Sequence, residues 1–413
     1  MPSKKNLLGG KRAPLALTGI GLVSPAGRGV NALAQALLDG KSHLKPLRSD
    51  PTQVGGIVDD AVLAAWRDLG PDDDRAVPLA ALAIEEALES AGEAAGAAFP
   101  RVGLALGTAL GPVGQLERQI GHGREKELDL RSFSFEGYAE RLFSGSPRSI
   151  FSVTCVSGLC ALEQAAADLA LDRADAVLVG GVDALTSFMQ GGFRALSALS
   201  PSGYLRPFSK GHDGILIGEA AAFALLEPVS RARARGAKTR GVVLAQRLVS
   251  DAYHLTSPDP SGKGMAHAIQ GVLADSGLHP EDIGCITVTA AGSPVYDRMQ
   301  SLAVFQALGE DCASGVPVTT WEGATGHLLA ATGTLGLVHA ALILERGNIF
   351  PVAPVDGIDP DCRLHYVLRE GEPLSSPCVL ALSVGFGGQN GATLVTSAEM
   401  ASDLCVKEDR WES

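Results

Sequence analysis

The chain has 413 residues, of which 46% are hydrophobic and 19% are charged, and its formal net charge at pH 7 is -12. This length and apolar content suffice to bury a large core in two or three domains. The acidic balance argues against non-specific nucleic-acid binding, which depends on neutralising phosphates with Lys and Arg. Seven cysteines without metal-ligand spacing favour a reducing compartment over a disulfide framework, and they give no support for a bound metal.

Residues 323–344 include no formally charged side chain, so this stretch is long enough to span a bilayer. It contains two histidines, several Gly and Thr, and no flanking aromatic belt, a composition that favours a buried helix of a soluble protein. No convincing signal peptide precedes the first strand. We therefore expect a cytoplasmic protein without a membrane segment.

Strand and helix patterns alternate along the chain, which is typical of an α/β fold. In the first half the patterns predict strands at 15–23, 102–106, 150–153 and 176–181 and helices at 32–38, 77–91 and from 159 onward. The second half predicts helices at 264–276, 299–308 and 326–345 and strands at 283–289, 379–384 and 392–396. This recurrence indicates two similarly built halves, 1–250 and 251–413.

The most informative motif is Thr154-Cys155-Val156-Ser157-Gly158, which lies between an extended segment and an apolar-striped helix. Cys155 is therefore expected at a helix N-terminus. Unpaired N–H groups and the positive end of the helix dipole favour a thiolate there, which makes the thiol a better nucleophile. The alternative is an ordinary small core residue, as buried cysteines often are.

Six blocks in fixed order resemble the β-ketoacyl synthase family, and the match is most similar to the type II elongating branch. They are TGIGLVSP at 18–25, VTCVSG at 153–158, RPF at 206–208 with DG at 213–214 and GE at 218–219, DAYHLTSP at 251–258, TGHLL at 325–329 and GFGGQN at 385–390. The resemblance implies a thiolase-like, five-layered αβαβα fold with the nucleophile in the first half and the catalytic histidine in the second. It also implies a dimer formed through the strand that leads into the nucleophile.

The same resemblance implies a condensing enzyme of fatty-acid or polyketide synthesis. In the family a cysteine takes an acyl group from the phosphopantetheine thiol of an acyl carrier protein, and two histidines hold a malonyl thioester while it loses carbon dioxide. By this resemblance Cys155 is the nucleophile and His327 is one of the two histidines. The backbone N–H groups of Cys155 and Phe386 form the oxyanion hole, and Phe386 gates the thiol. No bound cofactor is implied; the acyl thioester of carrier protein or coenzyme A is the substrate.

Two catalytic positions depart from the family pattern. Ala291 stands where the other histidine is expected, and two residues are missing after Gly292. Glu322 replaces the lysine five residues before His327. Loss of one donor from a preorganised site costs about 2.7–4 kcal/mol, so decarboxylation of a malonyl thioester is expected to be strongly impaired, whereas acylation of Cys155 requires only groups that remain.

These departures leave three hypotheses. The first is a ketosynthase-like acyltransferase of secondary metabolism, in which His327 is the general base and Glu322 either orients it or merely pairs with a cation. The second is a non-condensing partner subunit similar to the chain-length factors, although such subunits usually lose the cysteine. The third is a decarboxylating β-ketoacyl synthase with a relocated histidine, for which His254 and His267 are available.

Overall fold

The computed structural model describes residues 13–47, 50–66, 74–92, 100–124, 135, 146–352, 356–368 and 370–408. The strands are β1 (Leu15–Ser24), β2 (Gly27–Arg28), β3 (Lys45–Pro46), β4 (Val54–Gly55), β5 (Val102–Gly107), β6 (Arg148–Phe151), β7 (Ala176–Asp183), β8 (Ala220–Pro228), β9 (Gly241–Ser250), β10 (Cys285–Val288), β11 (Pro317–Thr319), β12 (Asn348–Ile349), β13 (His365–Tyr366), β14 (Glu372–Pro373), β15 (Cys378–Gly385) and β16 (Gln389–Thr396).

The helices are α1 (Val30–Leu38), α2 (Asp60–Leu63), α3 (Ala76–Ser90), α4 (Val113–Gly121), α5 (Ser157–Ala170), α6 (Ser187–Ala195), α7 (Val229–Ala234), α8 (Lys263–Ser276), α9 (Pro294–Leu308), α10 (Glu310–Gly315), α11 (Glu322–Thr325), α12 (Ala331–Arg346) and α13 (Ala398–Glu408). A 3-10 turn covers Pro280–Asp282.

The main sheet repeats one strand arrangement in the two halves of the chain. In the first half β6, β5 and β7 are parallel neighbours, and β8 and β1 follow as antiparallel neighbours. In the second half β11, β10 and β15 are parallel, and β16 and β9 follow antiparallel. The two sets are joined where β1 pairs with β9. The expected repeat of one architecture is confirmed, whereas the division after residue 250 stays a prediction, because β9 already pairs with the second set.

Helices cover both sets of strands and also separate them. Helices α5 and α12 pack between the two sets, α3 covers the outer face of the first set, and α8 and α9 cover the outer face of the second. Each of the three helix layers is the site of a separate cluster of buried apolar side chains. Burial of apolar surface on both faces of each set explains why β7 and β15 are apolar throughout. The αβαβα order expected from the sequence is confirmed.

Two helices differ from the sequence prediction, and both differences affect the candidate site. Helix α9 begins at Pro294, five residues before the predicted start. Proline is favoured in the first turn of a helix, because an N–H group there would have no acceptor within the helix. The helix predicted at 326–345 begins only at Ala331, because Gly326 (φ 80°) and Leu329 (φ 50°) are outside the helical conformation. His327 therefore lies between α11 and α12 and not within a helix.

Within the described ranges, no helix combines the length and apolarity that crossing a bilayer requires. The uncharged stretch 323–344 is divided between α11 and α12. It packs at the centre of the fold.

Candidate active site

Cys155 follows a strained turn at the end of β6. Thr154 adopts a left-handed conformation (φ 51°) that is unfavourable for a residue with a branched Cβ. Ser157 Oγ donates to the Thr154 carbonyl at 2.6 Å and accepts from the Val153 N–H at 2.9 Å. Helix α5 begins at Ser157, so Cys155 lies two residues before the helix and not at its first residue. Such locally strained turns are concentrated at functional sites.

His327 is held by its backbone against an extended segment from the other half of the chain. Its N–H donates to the Leu216 carbonyl at 2.8 Å, and its own carbonyl accepts from the Gly218 N–H at 2.9 Å. A Cβ at Gly326 would lie 2.9 Å from the Leu216 carbonyl oxygen, so this approach requires glycine. The break between α11 and α12 thus fixes the direction of the imidazole.

The structure brings Cys155, His327 and Glu322 into one hydrogen-bonded row. His327 Nε2 lies 3.1 Å from Cys155 Sγ, and His327 Nδ1 lies 2.7 Å from Glu322 Oε1. A carboxylate accepts the Nδ1 proton, so the partners assign Nε2 as the nitrogen that exchanges a proton with the sulfur. His327 is the group that Glu322 contacts, and the role of Glu322 in orienting the imidazole stays a prediction. We call these three residues the catalytic row.

In the catalytic row, burial disfavours the charged forms of His327 and Glu322, whereas the attraction between their charges favours these forms. Burial alone lowers the pKa of His327. The Cys155 sulfur and the Glu322 carboxylate together raise this pKa by more than burial lowers it, so the pKa of His327 is well above its usual value. Burial raises the pKa of Glu322, and His327 partly offsets this. An isolated buried carboxylate costs several kcal/mol. The imidazole and carboxylate therefore depend on each other to remain charged.

Ala291 lies in an apolar cluster beside the row and offers no polar group. The residue is 8% exposed and packs with Met189, Ile215, Ile217 and Leu329. The following Gly292 has a positive φ of 71°, and its carbonyl accepts from the Gly214 N–H at 3.0 Å. The backbone after Ala291 is thereby tied to another loop.

Phe386 belongs to the glycine turn between β15 and β16 and adjoins the nucleophile turn. Its carbonyl accepts from Thr154 Oγ1 at 3.1 Å, and its ring stacks on Phe193 with centroids 5.5 Å apart. Gly388 must be glycine, because its φ is 71° and a Cβ there would lie 1.9 Å from Asp251 Oδ1. The turn brings the backbone of Phe386 next to that of Cys155.

The sulfur is covered in this structure. Cys155 is only 6% exposed. A cavity of about 940 Å³ lies close by and is bordered by Leu216, whose carbonyl binds His327. Cys155, His327 and Phe386 do not line that cavity. We therefore do not assign the cavity as the acyl pocket, and access to the sulfur requires movement of the covering side chains.

Tyr296 is a nearby polar residue that the sequence patterns did not single out. It lies in the first turn of α9, and its ring centroid is 6.4 Å from that of Phe386. Pro294 after Ser293 was the available signal, because it marks a helix start that places Tyr296 near the site. The two unassigned histidines, His254 and His267, are both exposed, and His254 Nδ1 accepts from the Thr256 N–H in its own loop.

Comparison with known families gives two matches that together cover most of the chain. The model of the β-ketoacyl synthase N-terminal domain matches residues 12–232, and the model of the C-terminal domain matches residues 240–356. The chain is 32% identical to a 3-oxoacyl-[acyl-carrier-protein] synthase 2 of Coxiella burnetii, over 92% of this chain and 97% of that relative. It is 31% identical to the tetracenomycin polyketide synthase ketoacyl synthase alpha subunit of Streptomyces glaucescens, over 94% and 98%.

Two solved structures are similar in fold. The first is a type II polyketide ketosynthase in complex with its acyl-carrier protein, with a TM-score of 0.82 and 27% identity over 94% of this chain and 100% of that chain. The second is the ishigamide ketosynthase/chain length factor, with a TM-score of 0.82 and 26% identity over 94% and 99%. Both similarities extend over nearly the whole length.

Proposed function

Because this chain belongs to the β-ketoacyl synthase family, we propose that it is a ketosynthase-like acyltransferase of polyketide or fatty-acid-type secondary metabolism. The observation that carries the proposal is the catalytic row, in which His327 contacts both Cys155 Sγ and Glu322 Oε1. A nucleophile, a base and a group that orients the base are the minimal set for acyl transfer. The donor is an acyl thioester of carrier protein or coenzyme A.

In the first half-reaction the Cys155 thiolate attacks the thioester carbonyl of the donor. The backbone N–H groups of Cys155 and Phe386 stabilise the oxyanion of the tetrahedral intermediate. The carbon–sulfur bond to the donor breaks, and His327 Nε2 gives its proton to the leaving pantetheine thiolate. The products are the acyl-Cys155 thioester, a neutral imidazole and a free thiol.

In the second half-reaction an acceptor attacks the acyl-Cys155 thioester. The acceptor is an amine, an alcohol, a thiol or a preformed carbanion and not the ordinary malonyl-carrier protein. Neutral His327 removes the proton of an amine, alcohol or thiol acceptor, and Glu322 stabilises the imidazolium that forms. A preformed carbanion has no proton to give, and with this acceptor His327 takes its proton from solvent. The carbon–sulfur bond to Cys155 then breaks, which restores the thiolate and the imidazolium.

Decarboxylation is the step that this site is least suited to perform. The methyl group of Ala291 cannot donate a hydrogen bond to a malonyl thioester, and its neighbours are Met189, Ile215 and Leu329. A carboxylate at Glu322 adds negative charge where the developing enolate is also negative. Both features favour transfer of the acyl group without loss of carbon dioxide.

The test is release of labelled carbon dioxide from malonyl-carrier protein by the wild type and by Ala291→His/Glu322→Lys. We expect background release from both, because the histidine would enter an apolar cluster and Gly292 is fixed to Gly214. Each single variant is the matched control. Robust release by the wild type would overturn the proposal, and a gain of about a hundredfold or more in the double variant would show that only one donor was missing.

A non-condensing partner subunit is the second candidate, and the similarity to a ketosynthase/chain length factor structure is the observation that favours it. A subunit that only shapes the product of another enzyme has no use for a complete nucleophile and base. The catalytic row is complete in this chain. We therefore prefer the enzyme.

We also expect this chain to form a homodimer through β6. Among the described strands β6 is at one end of the main sheet, and Ile150 on it is 38% exposed. An unpaired edge strand readily pairs with a second copy. Light scattering should give twice the chain mass of 42.5 kDa, and Ile150→Asp should give the monomer.

Leu38→Asp is the control for this experiment, because Leu38 on α1 is also 38% exposed but lies away from the edge. It should remain dimeric. A wild-type monomer that becomes stable only when an active ketosynthase is added would instead favour the partner subunit.

A further inference from the structure

Tyr296 lies close in the chain to Ala291, the position at which the family histidine is missing. The residue is half-buried in the first turn of α9, directly after the loop that begins at Ala291. Its ring lies against Phe386, and Phe386 is bonded through its carbonyl to Thr154 beside the nucleophile. Tyr296 and the nucleophile turn thus contact the same residue, Phe386, Tyr296 at its ring and Thr154 at its carbonyl.

The hydroxyl of Tyr296 has only a weak partner. Tyr296 Oη donates to the Thr256 carbonyl at 3.4 Å, a distance beyond the usual range for a good hydrogen bond between oxygen atoms. Such a bond costs little to exchange for a better acceptor. The phenol is therefore available to a substrate oxygen when one enters.

The phenol also retains its proton at neutral pH. Burial raises the pKa of Tyr296, and negative charge on Cys155 and Asp251 raises this pKa further. A protonated phenol is a hydrogen-bond donor and not a base.

We propose that Tyr296 is the second hydrogen-bond donor of this site and that its hydroxyl binds an oxygen of the acceptor in the second half-reaction. The inference rests on the acyl transfer proposed above. It narrows the acceptor to molecules that have a carbonyl or similar oxygen next to the attacking atom. Tyr296 transfers no proton, and its hydrogen bond to that oxygen positions the acceptor while His327 removes the acceptor proton.

Other polar groups near the site fit this role less well. Ala291 has no polar group, and His254 and His267 are exposed. Tyr253 is 59% exposed on the loop that covers the glycine turn. The position and protonation of Tyr296 together distinguish it from these residues.

The experiment separates the two half-reactions in wild type and Tyr296→Phe, a change that keeps the ring against Phe386. Cys155 is first loaded from the acyl-coenzyme A donor that acylates the wild type fastest, and loading is followed by intact mass. Excess donor is removed, and the acyl-enzyme is discharged with glycinamide, in which one methylene separates the amine from a carbonyl, or with propylamine, which has no oxygen. Tyr253→Phe is the matched control.

We expect loading of Tyr296→Phe within about threefold of wild type and discharge to glycinamide reduced by about 10- to 100-fold. Discharge to propylamine should stay within about threefold, and Tyr253→Phe should behave as wild type with both amines. Unchanged discharge to glycinamide, or an equal loss with both amines, would overturn the inference. Failure of the wild type to load any acyl group would overturn the acyl transfer itself.

Discussion

Replacement of Cys155 by alanine should abolish acyl loading of the chain. Incubated with acyl-coenzyme A donors of increasing chain length, the wild type should gain one acyl mass from at least one donor. Cys155→Ala should gain none, a loss of about a thousandfold or more, because the covalent step has no other nucleophile. Intact-protein mass spectrometry followed by peptide mapping measures both the extent and the position of the label.

Among the described cysteines, other than Cys155, none has the partners that acylation requires. Burial raises the pKa of Cys160, with a further contribution from Glu163, and burial raises the pKa of Cys378 to about 12. Cys160→Ala is therefore the matched control, since Cys160 is on the same helix that follows the nucleophile. It should load as the wild type does. Label on Cys160 with Cys155 unmodified would disprove the assignment.

Glu322→Gln should slow both half-reactions by about a hundredfold or more. A glutamine amide can donate to His327 Nδ1 and so favours the tautomer with a proton on the wrong nitrogen, an effect that costs up to about 10⁴-fold in hydrolases with a similar row. Single-turnover acylation of Cys155 measures the loss directly. Glu227→Gln is the control for removal of a buried carboxylate, because Glu227 pairs with Arg235 and not with the row.

Rates for Glu322→Gln within about threefold of wild type, with the melting temperature unchanged, would show that Glu322 has no orienting role. His327→Ala should be at least as impaired as Glu322→Gln, since it removes the group that exchanges the proton. An unimpaired His327→Ala would contradict the row as a whole.

The first half-reaction needs His327 as an acid and the second needs it as a base, and the charges around His327 favour each form in turn. In the free enzyme the Cys155 sulfur contributes to raising the pKa of His327, which favours the imidazolium that protonates the leaving thiol. Acylation removes that negative charge, so the pKa of His327 falls while burial continues to lower it. The neutral base therefore forms when the acceptor needs it. As the pH is lowered, the rate of discharge should therefore fall only at pH values below the pKa that His327 has in the free enzyme.

Local patterns determined most of the secondary structure of this protein. Strands such as β1 and β7 and helix α3 are where apolar content and periodicity predict them, because their side chains are buried in the same pattern along the whole element. The positions of Cys155 between a strand and a helix and of the GFGGQN block between two strands were also predicted, since each is set by a few adjacent residues. The predicted boundaries of helices and strands were wrong where a single residue gave the competing signal, as at Pro294.

The tertiary structure alone decided how the candidate catalytic residues meet. The helix predicted at 326–345 included His327 but not Glu322, so the prediction did not place the two side chains together. The break at Gly326 brings them within 2.7 Å, and it is held by hydrogen bonds to Leu216 and Gly218, residues more than a hundred positions earlier. The position of Tyr296 beside Phe386 likewise depends on packing between α9 and the turn after β15. Such contacts join segments distant in sequence, and no local pattern of residues encodes them.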